Sequence, residues 1–171
     1  MYSLEDKKYL DLYFSIKDRD YSKKIDRTEL NNITQEIYES LDSTFFNSFD
    51  IIVIPESSSE FILNIVKKLN INYYILEKNS KEFIYSNLSS MNFSRQELES
   101  QKLRINKMND SFKLNKIKSN QRSKYIDILF KEPSIDLDGK ILFLDDSSFT
   151  GNTFKAAQSK VDFTDTYYIF H

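Results

Sequence analysis

The 171-residue sequence contains no cysteine, no tryptophan, one histidine, two glycines and two prolines. The absence of cysteine excludes disulfides and thiolate chemistry. The one histidine, His171, is the last residue, so a Ser-His-Asp triad would need a terminal side chain, and a Cys–His zinc site is impossible. An enzyme with this composition would work with carboxylates, hydroxyls, Lys and Arg side chains and backbone N–H groups.

Long apolar runs are also missing from the sequence. No stretch approaches the roughly 18 apolar residues of a transmembrane helix, and the N-terminal "MYSLEDKKYL" lacks the pattern of a signal peptide. Together with the absence of cysteine, these features predict a cytoplasmic protein with no membrane partner. The length predicts one domain, residues 1–171, that is large enough to bury a core.

Basic residues are concentrated in one segment of an otherwise acidic chain. The segment from Gln101 to Tyr125 holds eight basic residues and a single acid, Asp110. Its net charge of +7 leaves −9 for the remainder of a chain whose net charge is −2. Such a segment indicates an anionic ligand, although a solvated, lysine-rich helix face would have the same composition. Both interpretations stay open.

The first half of the chain predicts helices followed by a βαβ unit. Residues 1–48 space their apolar side chains at helical intervals, and Asp26 with Glu29 forms a pair like a capping box. The run Ile51–Ile54 is short, apolar and β-branched, as expected of a parallel strand buried on both faces. A helical period follows from Phe61 to Leu69, and "INYYILE" predicts the second strand of a unit spanning 49–77.

The second half is polar at first and then returns to α/β alternation. Within residues 78–132, Ser94 and Glu97 predict a capped helix start, and "SNQRSKYIDILF" predicts a short helix. Within 133–171 we expect a strand at Ile141–Leu144, a helix from about Asn152 and a last strand at Thr166–Phe170. The sequence therefore predicts an α/β fold of three layers, in which helices flank a mostly parallel sheet of four to five strands and a helical segment precedes it.

Two polar loops, "PESSS" and "DDSSFTGNT", follow the carboxyl ends of predicted strands, where α/β sheets bind ligands. Gly151 can adopt positive φ or admit a ligand close to the backbone. The N–H groups and hydroxyls of residues 150–153 suit a phosphate, whereas Asp145 and Asp146 suit ribose hydroxyls or a hydrated Mg²⁺. The simpler alternative is a helix capped by Thr150 beside aspartates that only end a strand.

Two other phosphate-handling classes fit less well. A Walker B strand needs an upstream G-x-x-x-x-G-K-[ST], which the sequence lacks. A phosphatase of the haloacid dehalogenase type needs D-x-D near the start of its fold, whereas these acids are adjacent and lie near the C-terminus.

The segment "ILFLDDSSFTGNT" resembles the phosphoribosyl pyrophosphate (PRPP) motif of the type I phosphoribosyltransferases, and "FDIIVIPESSSEFILNIV" resembles the family's first core strand, pyrophosphate loop and helix. The resemblance implies that Asp145 and Asp146 are catalytic residues that hold the ribose 2′- and 3′-hydroxyls. It assigns the 5′-phosphate to Thr150, Gly151, Asn152 and Thr153, and the pyrophosphate to Glu56, Ser57 and Ser58.

The resemblance also implies a cofactor and a mobile loop. Mg²⁺ would bind mainly through PRPP oxygens and water, with Asp145 and Asp146 as its only candidate protein contacts. Residues 78–132 would form the base-covering hood and the flexible loop, in which Lys116, Lys118 and Arg122 are candidate contacts. Residues 133–171 would carry the PRPP motif.

The implied activity is that of a pentosyltransferase, which joins the phosphoribosyl group of PRPP to a nucleobase or a base-like small molecule and releases pyrophosphate. Phe149 stands where the 6-oxopurine enzymes of the family carry an acid, which disfavours hypoxanthine and guanine. A non-catalytic module that senses PRPP or nucleotides is the alternative. Binding of nucleic acid or protein through residues 101–125 ranks third, so no nucleic-acid partner is expected; a homo-oligomer stays open.

Overall fold

The computed structural model describes residues 2–3, 5–16, 26–56, 60–109, 111–147 and 151–170. Its helices are α1 (Lys7–Ile16), α2 (Arg27–Ser40), α3 (Ser43–Phe46), α4 (Glu60–Leu69), α5 (Lys81–Asn87), α6 (Arg95–Asn106), α7 (Ile126–Leu129) and α8 (Asn152–Gln158). Its strands are β1 (Ile51–Pro55), β2 (Tyr73–Leu76), β3 (Ile141–Ser147) and β4 (Asp165–Phe170). Short 3₁₀ segments cover Leu88–Ser90, Leu114–Lys116 and Ser119–Tyr125.

The chain forms two compact units. The first comprises Met1–Ile75, Asp136–Phe149 and Phe163–His171, and the second comprises Leu76–Ile135 and Thr150–Asp162. Apart from Leu76 of β2, the strands belong to the first unit. The two units are described one after the other.

The sheet of four parallel strands has the order β2-β1-β3-β4 and is flanked by helices, so the predicted α/β class is confirmed. Ile51 lies opposite Ile141 in β3, and Val53 lies opposite Phe143. Val53 and Phe143 are both fully buried, as the unbroken apolar runs predicted. β3 is an inner strand, with β1 on one side and β4 on the other.

The core of the first unit lies on one face of this sheet. Alternate residues of the inner strands point to that face, because side chains in a strand alternate between its two sides. They pack with the apolar sides of α1, α2, α3 and α4 around Ile52, Ile54, Leu142, Leu144, Ile37, Phe46, Ile62 and Ile65. Removing these side chains from water is the main favourable term for this unit.

Side-chain caps start several helices where the sequence predicts them. The Asp26 carboxylate accepts hydrogen bonds from the backbone N–H groups of Thr28 and Glu29 at 2.8 and 2.9 Å. In the second unit, Ser94 and Glu97 form the reciprocal bonds of a capping box at the start of α6, as predicted. These predictions hold because both partners of each cap lie within three residues of each other.

The second unit has its own small core, in which Ile105, Phe112, Ile117 and Tyr125 are buried. A chain of polar side chains crosses it. The Tyr125 hydroxyl donates to Gln101 Oε1 at 2.9 Å, and Gln101 Nε2 donates in turn to Gln121 Oε1 at 2.6 Å. Because Gln101 is fully buried, these bonds fix α6 relative to the 3₁₀ segment Ser119–Tyr125.

Glu97 joins this network to the capping box and makes the second unit sensitive to acid. The Ser94 backbone N–H and the Gln121 amide donate to its carboxylate, and these bonds lower the pKa of Glu97 from 4.5 to about 2. Lys124 Nζ lies 3.5 Å from the same carboxylate. A carboxylate whose pKa is lowered by folding stabilises the native state above its unfolded pKa, and that contribution is lost as it is protonated.

We therefore expect Glu97→Gln to flatten the acid dependence of stability between about pH 4.5 and pH 2. The glutamine side chain can still accept the capping-box hydrogen bond, but it has no carboxylate that acid could protonate. Urea denaturation across this pH range measures the effect. Glu99→Gln removes one negative charge from the same helix and serves as the control for net charge. An unchanged acid slope in Glu97→Gln would contradict the prediction.

Candidate functional site

The two adjacent carboxylates, Asp145 and Asp146, lie inside β3 near its carboxyl end. Only 6% of Asp145 and 1% of Asp146 is exposed. The sequence predicted a strand that ends at Leu144, but the ladder to β4 continues with Asp145 opposite Tyr168 and Ser147 opposite Phe170. The last strand supplies this pairing, so the extension depends on residues about 23 positions away and has no local signal.

Asp145 and Asp146 belong to opposite faces of the sheet, since consecutive side chains in a strand alternate. The Asp146 backbone N–H donates to Asp145 Oδ1 at 2.8 Å, which fixes the Asp145 carboxylate along the strand. One buried acid therefore lies on each side of the same inner strand. Ionisable side chains are seldom buried to this extent in proteins without a partner or a ligand.

The carboxyl end of β1 reaches the same edge of the sheet as these acids. The β1–β3 register places Val53 opposite Phe143, so two residues further on Pro55 comes level with Asp145. Pro55 is buried and Glu56, directly after it, is exposed. Of the predicted pyrophosphate loop, Glu56 thus lies at the carboxyl edge with Asp145 and Asp146, whereas Ser57 and Ser58 lie outside the described residues.

Gly151, five residues after Asp146 in the chain, adopts the positive φ that the sequence allows for. Its φ is +64° and its ψ is 1°, in the left-handed region, and it directly precedes α8. Its carbonyl accepts the Lys155 N–H at 2.9 Å, and a Cβ built on it would meet nothing within 4 Å. Asn152 and Thr153 form the first turn of α8 and are partly exposed. Thr150, Ser148 and Phe149 lie outside the described residues.

At position 139, glycine is favoured by a close contact that a side chain would disturb. Its φ is +93°, and a Cβ at this position would lie 2.5 Å from Asp50 Oδ2. That carboxylate accepts the Lys140 N–H at 2.7 Å, and the Asp50 N–H donates to the Lys140 carbonyl at 2.9 Å. Gly139 therefore serves the turn that aligns the start of β3 with the start of β1.

The three predicted flexible-loop contacts belong to the second unit, where their surroundings differ. The Arg122 guanidinium donates to the carbonyls of Ile117 and Asn115 at 2.9 and 3.1 Å, so it braces its own turn. Lys116 and Lys118 are exposed. The side chain of Arg122 is thus committed to the backbone, and Lys116 and Lys118 are the two that face solvent.

Asp145 and Asp146 are the acids whose donor chemistry bears on a metal ion. In the described part of the chain, no three His, Asp or Glu side chains gather closely enough to hold an ion. Two carboxylates provide the hard oxygen donors that suit a hydrated Mg²⁺ carried by a substrate.

Among the described helices, none is long and apolar enough to cross a membrane.

No protein-family model, no curated protein and no solved structure matches this chain. The phosphoribosyltransferase resemblance therefore depends on the motif residues themselves and stays a prediction. The structure adds to it the burial of Asp145 and Asp146, the shared edge of β1 and β3, and the left-handed Gly151.

Proposed function

We propose that this chain binds the ribose 5-phosphate part of PRPP, transfers it to a nucleobase or base-like acceptor and releases pyrophosphate. One observation carries the proposal: two adjacent carboxylates are buried at the carboxyl end of an inner parallel strand. Parallel α/β sheets bind ligands beyond the carboxyl ends of their strands. Two acids at that edge lie where a sheet of this kind binds its ligand, which favours a binding role over a structural one.

The contacts follow from the chemistry of each group. Carboxylate oxygens accept hydrogen bonds from vicinal hydroxyls, so Asp145 and Asp146 are assigned to the ribose. The segment Thr150–Thr153 is assigned to the 5′-phosphate, because Gly151 leaves its backbone open to a ligand. Both assignments fall in the stretch Asp145–Thr153, which is the part of the sequence that resembles the PRPP motif.

The proposed reaction forms a C1–N bond to the acceptor and breaks the C1–O bond to pyrophosphate. Positive charge develops on the ribose ring as the pyrophosphate leaves. Buried carboxylates that hold the ribose hydroxyls would position the ring and favour that charge. Mg²⁺, bound through PRPP oxygens with Asp145 and Asp146 as candidate contacts, would neutralise the leaving pyrophosphate.

Calorimetric titration of the chain with PRPP and Mg²⁺ tests the binding step. We expect saturable binding of PRPP and weaker binding of ribose 5-phosphate, which lacks the pyrophosphate. Release of pyrophosphate from PRPP across a panel of nucleobases then tests the transfer step. If neither PRPP nor any nucleoside monophosphate binds, the proposal is wrong.

Gly151 offers a separate test of the phosphate assignment. Its left-handed backbone makes alanine unfavourable by about 1–2 kcal/mol, whereas asparagine tolerates that region better. We therefore expect Gly151→Asn to keep most of the stability, yet to bind PRPP more weakly because its side chain enters the open space. Thermal unfolding and calorimetry on both variants measure the two effects. If Gly151→Asn binds PRPP as tightly as the wild type does, the 5′-phosphate does not bind to this segment.

A non-catalytic module that binds a nucleotide is the second candidate, and Glu56 favours it. Glu56 is exposed at the carboxyl edge where the family would bind pyrophosphate, and the loop "PESSS" carries an acid but no basic side chain to attract that anion. Binding of nucleoside monophosphates without release of pyrophosphate from PRPP would select this candidate. Pyrophosphate release with any acceptor would exclude it.

A further inference from the structure

The second unit contains an open cleft to which Lys116 is the one contributor among the three predicted flexible-loop contacts. It has a volume of about 750 Å³ and lies between the C-terminal half of α6 and the following loop. The lining residues that matter for its chemistry are Leu103, Arg104, Lys107, Met108, Lys113 and Lys116.

Positive charge dominates this cleft. Arg104, Lys107, Lys113 and Lys116 contribute four cations, and no described lining residue is acidic. Asp110, which lies outside the described residues, would still leave a net +3 if it were counted. Elsewhere in this unit Lys102 pairs with Glu99 at 3.0 Å. Within the described ranges, no such ion pair forms at Lys107, Lys113 or Lys116.

Arg104 connects two parts of the cleft lining through a hydrogen bond. Its Nη1 donates to the Lys116 carbonyl at 2.9 Å, which ties α6 to the 3₁₀ segment Leu114–Lys116. Its Nε is buried and makes no hydrogen bond within the described part of the chain. The Nη1 hydrogen bond holds Arg104 and Lys116 together, whereas Lys107 and Lys113 flank the loop that joins α6 to the 3₁₀ segment.

An apolar side chain is exposed in the middle of this charge. Leu103 lies between Lys102 and Arg104 in the sequence and is 63% exposed, more than the other exposed large apolar residues of the described structure. Met108, which also lines the cleft, is largely buried. A binding partner for this cleft therefore has both anionic groups and an apolar group to cover Leu103.

We propose that this cleft docks an acidic peptide segment of a partner protein, with an aliphatic side chain of that segment packed on Leu103. Charge complementarity supplies the anionic requirement, and covering Leu103 supplies the apolar one. Single-stranded nucleic acid fits less well, because none of the described lining residues is aromatic and could stack on a base. A lone phosphate or pyrophosphate would leave Leu103 uncovered.

Fluorescence anisotropy with a labelled peptide of alternating glutamate and leucine tests the proposal on the full chain. Comparison probes are the same peptide with serine for leucine, oligothymidylate of equal length, and inorganic pyrophosphate as a competitor. We expect the Glu/Leu peptide to bind most tightly and to weaken as salt rises. The Lys107→Glu, Lys113→Glu double variant should lose about tenfold in affinity, and Leu103→Ser about tenfold.

Two control variants distinguish binding in the cleft from nonspecific electrostatic and hydrophobic binding elsewhere on the surface. Lys102→Glu makes one of these charge reversals on α6 outside the cleft, and Phe83→Ser removes an apolar side chain that is 45% exposed on α5. Both should bind the peptide as the wild type does, and thermal unfolding confirms that every variant is folded. Asp145→Asn should leave peptide binding intact, so failure here and failure of PRPP binding are distinguishable.

Other outcomes overturn the proposal. Tighter binding of oligothymidylate, without loss in Leu103→Ser, would make the cleft a nucleic-acid site. Displacement of the peptide by stoichiometric pyrophosphate would make it an anion site. Self-association that Leu103→Ser abolishes, measured by sedimentation, would make a second copy the occupant. Equal weakening by Lys102→Glu, or no binding of any probe, would leave no specific site.

Discussion

Replacement of Asp145 and Asp146 together by asparagine is expected to reduce PRPP binding by about a hundredfold or more. A hydrogen bond to a charged group contributes about 1.5–3 kcal/mol, and each 1.4 kcal/mol is about tenfold in affinity. The two carboxylates are each assigned to a ribose hydroxyl, and their negative charge favours the positive charge that develops on the ring. Calorimetry with PRPP and Mg²⁺ measures the loss of binding, and pyrophosphate release measures the loss of turnover.

The fold should survive this double replacement. Asparagine has the shape of aspartate, and its side-chain oxygen can still accept the Asp146 N–H that Asp145 Oδ1 accepts at 2.8 Å. We expect a thermal midpoint close to that of the wild type. Asp136→Asn, at an exposed position of the same unit, controls for the loss of charge.

If the double variant binds PRPP as tightly as the wild type does, Asp145 and Asp146 do not contact the ligand. The single variants carry further information, because Asp145 and Asp146 lie on opposite faces of β3. Equal losses would mean that the ligand contacts both carboxylates beyond the strand end. A loss confined to one variant would identify the face on which the ribose lies.

Replacement of Gly139 by alanine is expected to destabilise the chain by about 2–4 kcal/mol, the sum of a left-handed backbone cost of about 1–2 kcal/mol and a damaged hydrogen bond. At φ +93° an L-residue is strained, and its Cβ would lie 2.5 Å from Asp50 Oδ2. Asp50 must then move, which breaks its 2.7 Å bond to the Lys140 N–H. Such a loss is a large fraction of the roughly 5–15 kcal/mol that typically holds a domain folded.

Urea denaturation of Gly139→Ala and three further variants isolates the crowding at Gly139. Gly151→Ala makes the same change at positive φ where the Cβ has open space, so it should cost only the backbone part. Asp50→Ala removes the group that the new Cβ would strike. We therefore expect the Gly139→Ala, Asp50→Ala double variant to be more stable than the sum of the two single effects predicts. Equal costs for Gly139→Ala and Gly151→Ala would show that Asp50 does not restrict the turn.

Local features of the fold were predictable from the sequence, and features that depend on distant pairing were not. The run Ile51–Ile54 predicted β1, and Ser94 with Glu97 predicted the start of α6, because each signal lies within a few residues. The extension of β3 through Ser147 depends on β4. The expected helix at 119–130 is a 3₁₀ segment followed by α7, since Gln121 and Tyr125 are held by Gln101 of α6.

The candidate site shows the same division. Asp145, Asp146 and Gly151 lie close together in the sequence and could be found there. The burial of the two acids could not be predicted, because it depends on neighbouring strands and helices. Both glycines of the sequence lie next to the motif, but the structure separates their roles. Gly151 has open space, whereas Gly139 is explained by Asp50, which lies 89 residues earlier. In the basic segment, composition predicted an anionic ligand, but only the structure separates Arg122, which braces a turn, from the cations that line the cleft.

The β1–β3 register also has a consequence for how the chain acquires its fold. Ile51 pairs with Ile141 across ninety residues, and most of those residues, Leu76–Ile135, belong to the second unit. During synthesis, β1 and the apolar sides of α1–α4 therefore appear long before the inner strand that completes their sheet. Contacts this distant in sequence slow folding and prolong the exposure of unpaired strand edges. The second unit also includes Thr150–Asp162, so neither unit is complete before residues 136–171 are synthesised, and we expect the sheet to close only when β3 and β4 have left the ribosome.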